Sequence, residues 1–241
     1  MQALRPRHST AAWHAFALVA PLALTACASY LDARAEGALR DALVRVVGPA
    51  ESYEVRVAGA SLDGSRFERV RFVGRRIARA GAPVVDRLEL DLQGVVVDRR
   101  EKALTAVAAT HAELRLRGAD LAAYLRGSGW IADPSVVFSA PDRIAIAGTP
   151  RLAGIALAIG DGAEFEGRLF ASGSQLRLAV DRVRIGSSSA APLLRAVVER
   201  AINPVLDVSA YPLPARIDAV DAGDDGLRIV GSGGRLPAQA P

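Results

Sequence analysis

A single cysteine, Cys27, stands in the 241 residues, so no internal disulfide can form and stability must come from a packed core. Histidine is nearly as scarce: His8 and His14 precede that cysteine, and only His111 follows it. Beyond residue 27 there is no thiol for nucleophilic or metal chemistry, and a serine, histidine and acid triad would have to rely on His111. No Gly-x-Ser-x-Gly elbow, phosphate-binding loop or dinucleotide fingerprint occurs. These absences leave no catalytic residue, cofactor or metal ligand to assign. Lys102 is the only lysine among 30 basic residues, which face 26 acidic ones. Loss of Arg5 and Arg7 with a leader would take the net charge from +4 to +2, too little for a nucleic-acid binder.

What is present begins with a leader. Arg5, Arg7 and His8 precede an apolar run from Ala11 to Leu24, which ends in Leu24-Thr25-Ala26-Cys27. This is the order of a cleaved signal peptide, and the run is shorter than the roughly 17 to 25 apolar residues that span a bilayer. The last four residues resemble the lipobox of bacterial lipoproteins. The resemblance implies cleavage after residue 26, acylation of Cys27 and a periplasm-facing membrane anchor. Ala28, in place of an aspartate, resembles the signal for the outer rather than the inner membrane.

From Ser29 to Val47 apolar residues recur at intervals of three and four, predicting an amphipathic helix that Gly48-Pro49 ends. It packs on a sheet or lies on a membrane. The period then changes to two: Tyr53, Val55 and Val57, then Val70 and Phe72, then Leu88, Leu90 and Leu92 alternate with charged residues. At Gln93-Gly94 the phase slips by one before Val95 and Val97, as at a bulge. His111 falls in step with Glu113 and Arg115, on a solvent face. A short helix over 119–126 leads to further hairpins, ending in Leu176, Leu178, Val180, Val183 and Ile185. These last five repeat the offsets of Leu88 to Val97, so a duplicated unit or a coincidence is open.

The broadest apolar helical face after the leader lies at 190–206: Leu193, Leu194, Val197, Val198, Ala201 and Ile202. Arg195, Glu199 and Arg200 form its other side, and Pro204 should kink or shorten its last turn. That face is either core or one wall of an apolar groove, for which Ala145, Ala147, Gly154, Ala156 and Gly167 would make room. Glu164 and Glu166 project from one side of a strand, as on any polar face. Asp218, Asp221, Asp224 and Asp225 lack the alternate spacing of a calcium loop and suit Asp-Gly turns. Residues 231–241 read as a disordered tail.

Five stretches together resemble the LmeA-like phospholipid-binding family over roughly residues 30 to 231: Tyr53-Glu54-Val55-Arg56-Val57, Arg87 to Val95, Ala119-Asp120-Leu121, Leu176 to Ile185, and Asp225-Gly226-Leu227. The resemblance implies an α+β fold similar to tubular lipid-binding proteins. A long twisted, mainly antiparallel sheet would wrap two or three helices in one elongated domain, residues 27–230. It also implies a non-catalytic envelope protein that binds membrane phospholipid, with the acyl chains against the 193–202 face and Arg195 or Arg200 near the phosphate. The alternative is a structural or adaptor lipoprotein without a lipid ligand.

Overall fold

The computed structural model describes residues 36–37, 39–101, 103–129, 131–152, 155–156, 162–185, 188–189, 192–210 and 216–234. The leader, Cys27 and the last seven residues lie outside this set. A helix, α1, covers 39–47. Then follow β1 (Ser52–Ala60), β2 (Arg66–Ile77), β3 (Val85–Asp98), β4 (Ala103–Ala106), β5 (Ala109–Leu116) and α2 (Gly118–Gly127). The middle of the chain supplies β6 (Ile131–Ser139), β7 (Arg143–Leu152), β8 (Ile155–Ala156), β9 (Ala163–Ser172), β10 (Gln175–Ile185) and β11 (Ser188–Ser189). It closes with α3 (Pro192–Ile202), β12 (Leu206–Asp207), the 3-10 turn η1 (Val208–Ala210), β13 (Arg216–Gly223) and β14 (Gly226–Gly233). Strand β14 takes in the first three residues of the stretch whose composition suggested a tail: ladder bonds to β5 and β13 hold Gly231 to Gly233.

All pairings are antiparallel and form two sheets. One has the order β1-β2-β3-β5-β14-β13, with β4 beside β3; the other has the order β11-β10-β9-β7-β6, with β12 beside β10 and β8 beside β7. Alternation decides their faces. Register puts Val55, Phe72, Leu90 and Ala112 in one inward row and Tyr53, Gly74, Leu88 and Leu114 in the next. Outward rows carry ion pairs such as Arg71–Glu89 (3.1 Å), Arg87–Glu89 (2.7 Å) and Arg228–Glu113 (2.7 Å). The inward rows of both sheets, with Leu39 and Leu43 of α1 and Leu121 and Leu125 of α2, make one core. Each such leucine removed from water contributes about 2 kcal/mol.

The expected phase slip exists, but it differs between the two similar strands. At Gln93-Gly94 both residues are exposed while the β2–β3 register continues unbroken, so nothing is inserted there. Instead Gly59, Glu68 and Gly94 lie on one row across three strands, with Gly59 at φ 69° and Gly94 at φ 59°. All three strands change phase together along that line. In β10 the slip is a true bulge, with a register shift against β9 between Val180 and Arg182.

Backbone bonds join the sheets. Ile217 and Ala222 of β13 donate to Gly173 and Pro141, in the β9–β10 and β6–β7 turns, at 2.9 and 2.7 Å. Helix α1 ends at Gly48 (φ 104°), and the Tyr53 hydroxyl donates to the Gly48 carbonyl. Helix α3 is shorter than the apolar pattern over 190–206 suggested. It stops at Ile202 because Pro204 has no amide hydrogen and Asn203 turns its side chain to β10.

Candidate functional site

The inner face of the first sheet is largely valine, leucine, isoleucine and phenylalanine, and one stretch of it is thinner. There the row Leu90, Ala112, Gly231 and Ile217 puts a methyl group and a glycine where neighbouring rows have Leu114 and Ile229. Gly231 has a local cause: a Cβ on it would sit 2.7 Å from the Arg216 carbonyl of the adjoining strand. The missing side chains leave an apolar cavity of about 60 Å³. Val47 at the end of α1 and Val208 of η1 face the sheet across it.

The cavity has two unlike ends. Leu88, Leu114 and Ile229 line one. At the other, Thr110 lies one inward row beyond Ala112, and the cavity-lining Arg216 pairs with Ser232, next to Gly231. The Arg216 side chain is 76% exposed and meets Asp218 at 2.8 Å. Thr110 is 3% exposed, and its Oγ1 has no hydrogen-bond partner. An unpaired buried hydroxyl costs about 1–3 kcal/mol, which makes it the one polar irregularity in this wall.

The α3 residues fall elsewhere. Val198 and Ile202 are buried in the core, and neither lines this cavity. The side chains of Leu193, Leu194, Val197 and Ala201 lie outside the described residues. The polar stripe of α3 keeps Arg195 exposed and also serves the second sheet. Arg195 donates to the Asp181 carbonyl (2.8 Å), Glu199 accepts from Val180 N–H (2.7 Å), and Asn203 serves Leu178. These side chains occupy the edge of β10 between the stretches paired with β11 and β12, where backbone groups would otherwise be unpaired. The i, i+4, i+8 spacing of Arg195, Glu199 and Asn203 carried that signal. Arg200 is exposed.

The small residues expected to open a groove divide three ways. Ala145 and Ala147 alternate with buried Ile144 and Ile146 and take the opposite face. Gly167 is buried, but its Cβ position is occupied by the Ala179 carbonyl, so it serves a close strand approach. Gly154 and the side chain of Ala156 lie outside the described residues. Glu164 and Glu166 pair with Arg184 and Arg182 on the outer face, and His111 is exposed there as its parity requires.

Other charged groups shape the surface rather than the cavity. Glu113 accepts from Arg228 and Arg115, and the Arg228 bond above all holds its carboxyl down at about 2. Asp221, Asp224 and Asp225 ring the β13–β14 turn with Arg115 and Arg228 around an open depression of about 390 Å³. Among the described residues no cluster of three histidine, cysteine or acidic side chains can hold a metal ion, and no helix is long and apolar enough to cross a membrane.

No curated protein and no solved structure matches the chain. The family model described as LmeA-like phospholipid-binding matches residues 22–232, from the leader through almost all of the last strand. With nearly nine-tenths of its length inside that match, the chain belongs to the LmeA-like phospholipid-binding family.

Proposed function

We propose that the protein is a lipid-anchored, periplasm-facing envelope protein that binds a phospholipid acyl chain in the apolar cleft between the first sheet and α1–η1. The observation that carries the reading is a cavity with no polar wall surface in a chain of a phospholipid-binding family. Its work is to hold or pass phospholipid for envelope lipid homeostasis, with no catalysis. Each methylene withdrawn from water contributes about 0.8 kcal/mol, so a chain of ordinary length supplies ample affinity. The resting cavity of about 60 Å³ accepts about two water-sized groups, each taking ~30 Å³. A longer chain therefore has to push Val47 and Val208 away from the sheet.

The anchor completes the reading. Acylated Cys27 holds the domain at a bilayer, more in keeping with the outer than the inner membrane given Ala28. One acyl chain binds only marginally and two or more bind stably. Eleven residues, 28–38, separate Cys27 from α1, a tether that keeps the domain within reach of the leaflet it serves. Lipid extraction and mass spectrometry of the purified protein test the proposal: co-purifying phospholipid is expected. Protein that emerges lipid-free and takes up no labelled phospholipid would favour the adaptor alternative. Cys27→Ser should move the protein from the membrane to the soluble fraction.

A further inference from the structure

The cavity wall is apolar, and the one hydroxyl among the residues that line it, Thr110 Oγ1, is buried without a partner. Thr110 pairs with Gly233 across β5 and β14, while Arg216 pairs with Ser232 across β14 and β13. The two residues thus stand two strands apart and within one row of each other. At a strand spacing of about 4.8 Å their backbones are roughly 10 Å apart. They face opposite sides of the sheet: Arg216 and Ser232 share the outward row of exposed His111, whereas Thr110 shares the inward row of buried Leu92.

Thr110 shows only carbon to the cavity, because its hydroxyl is covered and the accessible wall is apolar. Rotation about χ1 exchanges its methyl and hydroxyl between staggered positions. No hydrogen bond resists that rotation, since Oγ1 has no partner to lose. A hydroxyl kept unpaired at 3% exposure beside an apolar cavity fits a ligand with a carbonyl next to its hydrocarbon chain.

We propose that Thr110 reads the ester linkage of a glycerophospholipid. Its Oγ1–H donates to an acyl ester carbonyl, and the acyl chain runs past Ala112 toward Leu88, Leu114 and Ile229. The proposal rests on the phospholipid reading above and adds to it a chemical preference and a direction. Ether-linked lipids of the same chain length and headgroup lack the carbonyl and leave Thr110 unpaired.

The test is a competition. Full-length protein carrying Cys27→Ser is incubated with equimolar dioleoyl phosphatidylglycerol and its diether counterpart, and bound lipid is counted by native mass spectrometry. One neutral hydrogen bond predicts a diester preference of about 2- to 12-fold. Thr110→Val, which keeps the shape and loses the donor, should bring the ratio to one, and Thr110→Ser should restore the preference. A ratio of one in the protein with Thr110 intact, or a preference that survives Thr110→Val, overturns the role of Thr110 while phospholipid binding stands. Failure to bind either lipid overturns the phospholipid reading itself.

Discussion

Asn203 closes both sides of the Leu178 peptide: its Oδ1 accepts from the Leu178 N–H at 2.7 Å, and its Nδ2 donates to the Leu178 carbonyl at 2.8 Å. A side-chain amide thus replaces the neighbouring strand that β10 lacks at this level. Asn203→Ala leaves a partly buried donor and acceptor unpaired and should lower stability by about 2 kcal/mol, read as a lower denaturation midpoint. Asn203→Asp restores the acceptor alone and should lose less. Equal stability of all three would remove this role.

The cavity predicts an uncoupling of binding from folding. Ala112→Leu places a side chain where Ala112 and Gly231 leave room, on a row whose neighbours already carry leucine. Lipid uptake should fall more than tenfold, with thermal unfolding shifted by only a few degrees. Uptake unchanged beside an intact fold would move the lipid site away from this wall.

Val198 and Ile202 predict the reverse. Both are buried in the core, with 8% and 6% exposure. A charge at Val198 has no partner there, so Val198→Asp should unfold the protein rather than selectively abolish lipid uptake. Far-ultraviolet circular dichroism separates the outcomes, and a folded variant without lipid would make this face the binding wall.

Acid stability should depend on Glu113. Its carboxyl is lowered from 4.5 to about 2, chiefly by the bond from Arg228, against desolvation, with Arg115 adding to it. A carboxyl lowered in the folded state stabilises fully above about 4.5, and that contribution is lost as pH falls toward about 2. Glu113→Gln should flatten the decline of the denaturation midpoint across this window. An unchanged slope would assign the acid loss to other carboxylates.

Arg76 combines strain and pairing. It holds φ 54°, uncommon for any residue but glycine, while both guanidinium nitrogens meet Asp120 of α2 at 2.5 and 2.9 Å. Arg76→Ala loses the pair and keeps the strain, for about 2 kcal/mol. Arg76→Gly loses the pair but relieves the backbone, and should be more stable than Arg76→Ala by about 1 kcal/mol. The difference is measurable by urea denaturation, and equal stabilities would show that position 76 stores no strain.

The strands, turns and helix faces were legible because burial imposes periods of two and 3.6 on the sequence itself. Leu88, Leu90 and Leu92 against Glu89 and Asp91 declare an inner and an outer face without any partner in view. The Gly59–Glu68–Gly94 row was half visible, as a slip in one strand, since a row becomes a row only when strands align. The family also lay in the order and spacing of those apolar positions. What tertiary structure decided is where space remains. Ala112 and Gly231 stand 119 positions apart, and nothing local makes either a cavity wall until β5 and β14 pair. The same holds for Thr110, whose missing partner is a property of its surroundings, and for Arg195, Glu199 and Asn203, whose bonds to β10 exist only because its open edge lies beside them. Periodicity records how much of a residue is buried; only the register of distant strands determines what it is buried against.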